Sequence, residues 1–269
     1  MITFPNAKIN LGLNIVEKRS DGYHNIETIF YPVPIKDALE IIPAPKTTIQ
    51  QTGIPLDLPA EKNIVVEAIR QLKKYSEIPP LEIHLLKNIP FGAGLGGGSA
   101  DAAFMLKMLR DFFQLNLNDT LLENIASQIG ADCPFFIRNT PVFASGIGDQ
   151  FEKIEFSLKG YWLCLVKPDI FVSTPQAYAG ANPKRPQVSL KEIIRQPIET
   201  WKETMVNDFE TNVFPQFPAI GNIKQKLYEA GALYASMSGS GSSVFGIFQA
   251  PTRLKKSFPN CFVWEGAFE

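Results

Sequence analysis

A glycine-rich segment that runs straight into a helical pattern constrains the fold of this chain more than any other feature. Residues 90–103 read PFGAGLGGGSADAA, and apolar residues at helical spacing continue from Ala102 to Phe113. Glycine allows backbone N–H groups to turn inward around an anion, and a helix N-terminus adds unpaired N–H groups and a positive dipole end. The segment therefore predicts a phosphate-binding loop. Its residues are Pro90, Phe91, Gly92, Ala93, Gly94, Leu95, Gly96, Gly97, Gly98, Ser99 and Ala100.

Other interpretations of this segment are less favourable. Gly92, Gly94 and Gly97 match the dinucleotide pattern G-x-G-x-x-G, but another helical pattern follows where a Rossmann unit would have its second strand. The Gly-Lys-Ser/Thr ending of a P-loop is missing. A flexible linker would lack the bulky Leu95 and the immediate helix start. We therefore favour phosphate binding.

Composition and charge are typical of a compact enzyme. The chain has 269 residues, of which 45% are hydrophobic and 20% charged, enough for one large domain or two ordinary ones. A net charge of −1 indicates no electrostatic attraction for nucleic acid or an acidic membrane. The longest clearly apolar run, residues 161–166, is too short to cross a bilayer, and residues 1–10 lack the apolar segment of a signal peptide. These features favour a compact enzyme that binds neither nucleic acid nor a membrane.

The cysteine pattern indicates a cytoplasmic protein. Cys133, Cys164 and Cys261 are odd in number, far apart and without metal-type spacing. We therefore expect reduced thiols and a cytoplasmic location. The sequence leaves the oligomeric state open.

Apolar spacing predicts a sheet near the start of the chain. Apolar residues alternate over residues 9–15, with Lys8 and Asn10 on the opposite face, which predicts a half-buried strand. Residues 20–22 predict a turn, and residues 26–33 the returning strand. Further strands are expected at residues 39–42, 81–86, 161–167, 233–237, 244–248 and 262–264.

Capping residues and helical spacing predict the helices. Asn63 is placed to cap a helix that carries Val66, Ile69 and Leu72, and Asp119 or Thr120 to cap a helix that runs to residue 129. Thr174 followed by proline predicts another helix start. Helical patterns also occupy roughly residues 198–210 and 219–230.

The order of these elements sets the expected fold class. Strands and helices mix without strict strand–helix–strand alternation, which predicts an α+β protein. We expect a boundary near residue 157, with an N-terminal domain at residues 1–157 and a C-terminal domain at residues 158–269. The order of elements in the second segment resembles a ferredoxin-like domain.

Three further features carry possible chemistry. Asp132 follows a helix end, with Pro134 and apolar residues behind it; a carboxylate in such a corner can accept a proton from an alcohol, or it can bond local N–H groups. Lys8 on its strand is by itself best interpreted as an exposed lysine. Residues 238–243, SGSGSS, form either a plain hairpin turn or a second backbone nest.

Together these segments resemble the superfamily of galactokinase, homoserine kinase, mevalonate kinase and phosphomevalonate kinase, the GHMP kinases. The segments AKINLGLNIVEKRSDGYHNIETIF from residue 7, GLGGGSADAA from residue 94 and GADCPFF from residue 130 are similar to the family of kinases that act on 4-diphosphocytidyl-2-C-methyl-D-erythritol in non-mevalonate isoprenoid synthesis. The DGYH turn is the most specific feature. The segment SMSGSGSSVFGIF from residue 236 is shared more loosely across the superfamily. The match is weaker at Tyr178, where the family often presents phenylalanine.

The resemblance implies a fold and a reaction. The N-terminal domain would be like domain 2 of ribosomal protein S5 and the C-terminal domain ferredoxin-like. The chain would transfer phosphate from ATP to the C2 hydroxyl of 4-diphosphocytidyl-2-C-methyl-D-erythritol, with Mg²⁺ on the phosphate oxygens.

The resemblance also implies roles for single residues. Asp132 would be the catalytic base, and Lys8 would hold it ionised and orient the hydroxyl. Residues 90–100 would wrap the ATP phosphates, and Ser99 would contact Mg²⁺. Asn63 would touch the nucleobase of ATP, although a capping role is sufficient to explain it.

The substrate residues are likewise implied by the resemblance. Tyr23 and Tyr178 would be the two faces of a clamp around the cytosine, and His24 would read the polar edge of the base. Asn10 and Thr174 complete the implied substrate site.

Three alternatives remain open at this stage. A sibling kinase would act on mevalonate, homoserine or galactose. A non-catalytic nucleotide-binding relative would need Lys8 or Asp132 to be misplaced. An NAD-linked oxidoreductase is weakened by the missing second strand.

Overall fold

A computed structural model of the chain describes residues 1–55 and 59–268. The strands are β1 Ile2–Thr3, β2 Asn6–Lys18, β3 His24–Lys36, β4 Ala38–Pro43, β5 Thr48–Gly53, β6 Leu81–Lys87, β7 Val142–Ser145, β8 Gln150–Lys153, β9 Trp162–Pro168, β10 Tyr234–Met237, β11 Val244–Phe248 and β12 Cys261–Ala267. The α-helices are α1 Ile64–Leu72, α2 Gly97–Phe112, α3 Asp119–Ser127, α4 Phe135–Arg138, α5 Thr174–Tyr178, α6 Leu190–Ile193, α7 Trp201–Thr204, α8 Glu210–Gln216 and α9 Pro218–Glu229. Short 3₁₀ helices are Ala60–Lys62, Ile198–Thr200 and Lys255–Ser257. Among the described residues, no helix has the length and apolar character needed to cross a membrane.

The first compact unit comprises Met1–Ala7, Ile35–Phe91 and Gly96–Thr140. Its sheet has the order β1-β4-β6-β5, in which β5 runs parallel to β6 and the other pairs are antiparallel. Alternate residues of β6 are buried, and helices α1 and α2 pack together. Strand β6 leads directly into the glycine-rich segment, and α2 begins where that segment ends.

The second compact unit comprises Lys8–Pro34, Gly92–Leu95 and the chain from residue 141 onward. It contains two sheets, with the orders β2-β3-β7-β8 and β10-β11-β9-β12. In the second sheet all pairs are antiparallel, and α9 packs on β10 and β11. One apolar core is built from both sheets. Its members include Leu13, Ile26, Val166, Met237 and Val244.

Most predicted elements are confirmed. The mixture of strands and helices is α+β. Asn63 caps α1, because its side-chain oxygen accepts a hydrogen bond from the backbone N–H of Val65 at 3.0 Å. Strand β5 was not predicted, since TIQQTG has too few apolar residues to show a pattern, and it forms by pairing with β6. The three cysteines are free, as expected.

The prediction of a half-buried first strand is wrong. Strand β2 is buried on both faces, and its polar residues Lys8 and Asn10 are only 3% and 2% exposed. Alternation of apolar and polar residues indicates a solvated face only where nothing packs on the polar side. Lys8 is therefore a buried lysine.

Two predicted helix caps are displaced. Asn118 caps α3, accepting from the backbone N–H of Leu121 at 2.9 Å, so that Asp119 lies in the first turn. Ser173 caps α5 through a capping box, and Thr174 is the first helical residue. In both cases the residue one position earlier has the extended backbone that a cap requires.

The predicted helix over residues 198–210 is interrupted. A 3₁₀ turn and α7 end at Thr204, and α8 begins only at Glu210. Between them the backbone pairs with β2, since the N–H of Leu13 donates to the carbonyl of Val206 at 2.8 Å and the N–H of Asp208 donates to the carbonyl of Leu13 at 2.8 Å. Tertiary pairing has replaced the local helical preference.

The two compact units divide the chain differently from a linear domain boundary. The unit that contains residues 141–268 also takes in Lys8–Pro34 and Gly92–Leu95. A compact unit in space can contain segments that are far apart in the sequence, so it need not correspond to one continuous domain. The domains predicted at residues 1–157 and 158–269 stay a prediction.

Candidate active site

The start of helix α2 presents unpaired backbone N–H groups. Gly96, at the N-cap position, has left-handed backbone angles (φ 68°, ψ 16°) and no side chain to cap the helix. The first N–H groups of the helix, on residues 97–99, therefore lack the usual partner from a capping side chain. The positive end of the helix dipole lies at the same point. This end of the first unit can bind an anion.

Glycine is required sterically at Gly94. Its backbone φ is +73°, and a Cβ atom there would lie 1.9 Å from the carbonyl oxygen of Ser238. Gly92 also has a positive φ, and its Cβ would lie 2.7 Å from the ring of Phe171. Gly94 is thus held against the turn at residues 238–243, the segment that the sequence leaves open as a hairpin turn or a second backbone nest.

The ammonium of Lys8 is buried among acceptors of the second unit. Its Nζ donates to Oδ1 of Asn10 at 2.6 Å and to the carbonyl of Gly94 at 3.2 Å, and it lies 4.7 Å from the ring centre of Phe30. The side-chain amide of Asn10 donates in turn to the hydroxyl of Thr28 at 3.0 Å. Strands β2 and β3 therefore hold a lysine in a fixed position at the glycine loop.

Ser238 connects the turn, the loop and the strand. Its hydroxyl donates to the carbonyl of Gly94 at 2.8 Å and accepts from the backbone N–H of Asn10 at 3.2 Å. Ser238 is fully buried. The segments around residues 10, 94 and 238 are therefore brought together by the fold, although they are far apart in the sequence.

Asp132 and Ser99 lie in one corner of the first unit. Cys133, next to Asp132, is hydrogen-bonded to Ser99 of the first turn of α2. Burial raises the pKa of the Cys133 thiol to about 12, with the charge of Asp132 raising it further and the Ser99 bond lowering it. Asp132 is itself only partly buried.

A buried ionic cluster lies beside the glycine loop. Lys87, at the end of β6, donates to Oδ2 of Asp101 in α2 at 2.6 Å and also to a carboxylate oxygen of Asp37. Asp37 also accepts from the backbone N–H groups of Asn88 and Ile89. Burial raises the pKa of Asp101 to about 8, and the Asp37 charge adds to that shift. No sequence pattern predicted this cluster, although Lys87 and Asp101 flank the loop on its two sides.

The predicted cytosine residues are only partly assembled. The rings of His24 and Tyr178 are stacked, with centroids 4.7 Å apart and planes 15° apart. Tyr178 also touches the edge of Phe209, and Tyr23 is 63% exposed. Thr174 is exposed at the start of α5. The fold thus brings His24 and Tyr178 together, and one face of Tyr178 is covered by His24.

The residues present fit a polyphosphate ligand better than a protein-bound metal. Within residues 1–55 and 59–268 no group of three or more His, Cys, Asp or Glu side chains could hold a metal ion. The glycine loop instead offers N–H groups, which suit phosphate oxygens. A magnesium ion here would be bound mainly through the phosphate oxygens of a nucleotide, the usual arrangement for this cation.

Comparison with known proteins gives a consistent result. Residues 63–140 match the family described as GHMP kinases N terminal domain, and residues 189–261 match GHMP kinases C terminal. The chain is 67% identical over 268 residues to the 4-diphosphocytidyl-2-C-methyl-D-erythritol kinase of Parabacteroides distasonis, with 99% of each chain covered. It is 55% identical to the enzyme of the same name from Bacteroides thetaiotaomicron, again with 99% of each chain covered.

A solved structure extends the similarity to the fold. The crystal structure of a 4-(cytidine 5'-diphospho)-2C-methyl-D-erythritol kinase superposes with a TM-score of 0.84 at 26% identity, covering 100% of both chains. The predicted two-part fold, with strands and helices in both parts, is that of this structure and of the matched families.

Proposed function

We infer the function of this chain from one premise: it belongs to the GHMP kinases and, within them, to the 4-diphosphocytidyl-2-C-methyl-D-erythritol kinases. It is an ATP-dependent kinase, and its substrate is the cytidine-linked alcohol that names the family. The observation that carries this function is 67% identity, over 99% of the chain, to a kinase of that name. The glycine loop and the uncapped start of α2 support it, because such a structure suits phosphate binding. The reaction belongs to non-mevalonate isoprenoid synthesis.

The glycine loop is proposed to hold the phosphates of ATP. N–H groups at the start of α2 and in the left-handed glycines would bind the phosphate oxygens. Mg²⁺ would neutralise developing charge on these oxygens, with the Ser99 hydroxyl as its protein contact. Asn63 would touch the adenine only if its side chain gave up the cap of α1.

Asp132 and Lys8 are proposed to act on the accepting hydroxyl. Asp132 would take the proton from the C2 hydroxyl as the oxygen attacks the terminal phosphorus of ATP. Lys8 would orient that hydroxyl and stabilise the negative charge on the carboxylate. Its ammonium is already fixed by Asn10 and Gly94, so little ordering is needed during the reaction.

The cytosine is proposed to be held by Tyr23, His24 and Tyr178. Stacking on an aromatic ring stabilises binding of any base by about 1–3 kcal/mol, so it cannot by itself select cytosine. Since His24 covers one face of Tyr178, we propose that the base takes that face and that His24 moves to its polar edge. Asn10 and Thr174 would complete the substrate site.

A substrate panel tests this function. Purified protein is given ATP, Mg²⁺ and one alcohol at a time, and ADP release is followed. We expect turnover with 4-diphosphocytidyl-2-C-methyl-D-erythritol and none with free methylerythritol, mevalonate, homoserine or galactose. Turnover with free methylerythritol would contradict the proposed cytosine clamp. Absence of turnover with every alcohol would indicate that the chain is a non-catalytic relative. We further propose a cytoplasmic location, in agreement with its free cysteines.

The proposed role of Asp132 as the catalytic base can be tested in the same assay. Asp132→Asn keeps the shape of the side chain but removes the proton acceptor. Loss of a general base lowers turnover by about 10²–10⁴-fold, and we expect that loss with little change in ATP affinity. Asp111→Asn, at an exposed position in α2, is the matched control. Normal turnover in Asp132→Asn would rule out this base.

A further inference from the structure

We propose that Asn207 is a positioning residue for phosphate transfer, which holds the turn at Ser238–Gly239 against the glycine loop and the Lys8–Asn10 pair. The proposal rests on the proposed function, because it takes the glycine loop and Lys8 as working parts of the site. Asn207 lies within the region that matches the GHMP kinases C terminal family, but outside the four motif segments that begin at residues 7, 94, 130 and 236. It lies in the break between α7 and α8, where the chain pairs with β2.

The side chain of Asn207 is fully engaged. Its amide nitrogen donates to the carbonyl of Met237 at 2.7 Å and to the carbonyl of Gly239 at 2.9 Å. Its Oδ1 accepts from the backbone N–H of Phe209 at 3.0 Å. The residue is 2% exposed, so these bonds form away from water. The Asn207 side chain is therefore hydrogen-bonded to the backbone on both sides of Ser238.

Ser238 connects the turn that Asn207 holds to the glycine loop. Its hydroxyl donates to the carbonyl of Gly94 and accepts from the N–H of Asn10. The approach is close enough that a Cβ on Gly94 would lie 1.9 Å from the Ser238 carbonyl. A shift of the turn therefore moves the loop or breaks its contacts.

The same turn limits the space around Lys8. Gly239 approaches Asn10 so closely that a Cβ there would lie 3.2 Å from Asn10 Oδ1. That oxygen and the Gly94 carbonyl are the acceptors of the Lys8 ammonium, at 2.6 Å and 3.2 Å. Asn207 thus acts on Lys8 through contacts that are all within the second unit.

A purely structural role for Asn207 makes a different prediction. Its side-chain oxygen accepts a hydrogen bond at the start of α8, whereas its amide nitrogen donates both of its hydrogens to the turn. Asn207→Asp keeps the acceptor for Phe209 and removes both donors to the turn. If Asn207 only stabilised α8, this variant would keep the turnover of the folded enzyme.

The experiment measures kcat, the Kd of ATP and Tm for Asn207→Asp, Ser238→Ala and the double variant. We expect kcat to fall by about 10²-fold in Asn207→Asp, since small misplacements of reacting groups have effects of that size. Ser238→Ala, which loses ordinary hydrogen bonds, should fall by about tenfold. The Kd of ATP should rise by a smaller factor, because the N–H groups of α2 are retained. The double variant should be no slower than Asn207→Asp by more than about twofold, since both act through one path.

The controls separate the possible failures. Asn222→Asp, at an exposed position in α9, carries the same charge change and should keep wild-type kcat. Wild-type kcat in folded Asn207→Asp, or independent effects in the double variant, would overturn the proposal. If Asn207→Asp does not fold, Ser238→Ala decides: an unchanged kcat refutes the relay and a tenfold loss supports it. If the wild-type protein shows no turnover with 4-diphosphocytidyl-2-C-methyl-D-erythritol, the proposed function itself has failed.

Discussion

Lys8 occupies an environment that is unusual for an ammonium group. A buried charge is destabilising unless it is paired and hydrogen-bonded. Here the oxygens of Asn10 and Gly94 and the face of Phe30 surround the Nζ atom. The Nζ atom is therefore held in place by acceptors of its own strand and of the glycine loop. An ammonium that is already ordered suits the proposed role in stabilising charge during phosphate transfer.

Lys8→Met tests that role at the residue scale. Methionine fills the volume of the lysine stem but has no donor, so we expect turnover to fall by about 10²–10³-fold. Lys18→Met, at the exposed end of β2, is the matched control and should behave like the wild type. Full turnover in Lys8→Met, with a normal circular dichroism spectrum, would leave Lys8 without a catalytic role.

Asp101 makes the stability of the protein depend on pH. Burial raises its pKa from 3.8 to about 8, so between these values the folded chain keeps a proton that the unfolded chain has released. The free energy of unfolding should therefore fall as the pH rises from about 4 to about 8. Asp101→Asn removes this group, and its urea-unfolding free energy should change less between those two pH values than that of the wild type. An equally steep fall in Asp101→Asn would assign the effect to other groups.

At the scale of elements, two glycines in the middle of the glycine loop have different surroundings. Gly96 is the N-cap of α2 and has no side chain to cap the helix. Gly94 lies against the turn at Ser238 with no room for a side chain. Glycine therefore suits these two positions for different reasons. At Gly96 it leaves the N–H groups of the helix start without a capping side chain, and at Gly94 it permits a close approach of the backbone to Ser238.

Gly94→Ala tests the close approach, with Gly160→Ala as its control. Both glycines have a positive φ, +73° and +94°, but a Cβ on Gly160 would meet nothing within 4 Å. Both variants should lose about 1–2 kcal/mol of stability from the left-handed backbone. Only Gly94→Ala should also weaken ATP binding and turnover, because the loop must move away from Ser238. Calorimetric titration with ATP would contradict this if both variants bound equally well.

At the scale of the whole molecule, each compact unit is assembled from separated stretches of chain. Cys133 lies in the first unit, and Cys164 and Cys261 lie in the second. Burial raises the pKa of Cys133 and of Cys164 to about 12. Cys261 is partly exposed, and burial raises its pKa as well. Thiol reactivity therefore reports whether both units are intact.

We expect one rapidly reacting thiol per folded chain. A thiol reagent must reach the sulfur atom, so in the folded chain the partly exposed Cys261 should react faster than the buried Cys133 and Cys164. All three cysteines should react after unfolding in urea. Cys261→Ser should abolish the rapid phase. A second rapid thiol in the native protein would mean that Cys133 or Cys164 is less buried than the structure has it.

The sequence by itself determined the local features of this protein. Alternation predicted β2, the Asn63 cap and helical spacing predicted α1, and the glycine run before apolar helical residues predicted the loop and α2. These signals are short-range, because spacing and capping depend on residues within a few positions of one another. The segments around residues 8, 94 and 130 also indicated the kinase family.

Only the tertiary structure decided burial and long-range contact. Whether Lys8 is exposed depends on distant segments of the chain. Gly94, which accepts from Lys8, is 86 residues away in the sequence, and Ser238, which binds the neighbouring Asn10, is 228 residues from Asn10. The break at residues 205–209 arises because the backbone there pairs with β2, and no local signal in the helical pattern reveals such a partner. The stacking of His24 on Tyr178 and the cluster of Asp37, Lys87 and Asp101 have the same origin. Hydrogen bonding and desolvation depend on what surrounds a group in space, so they are established only when the chain has folded.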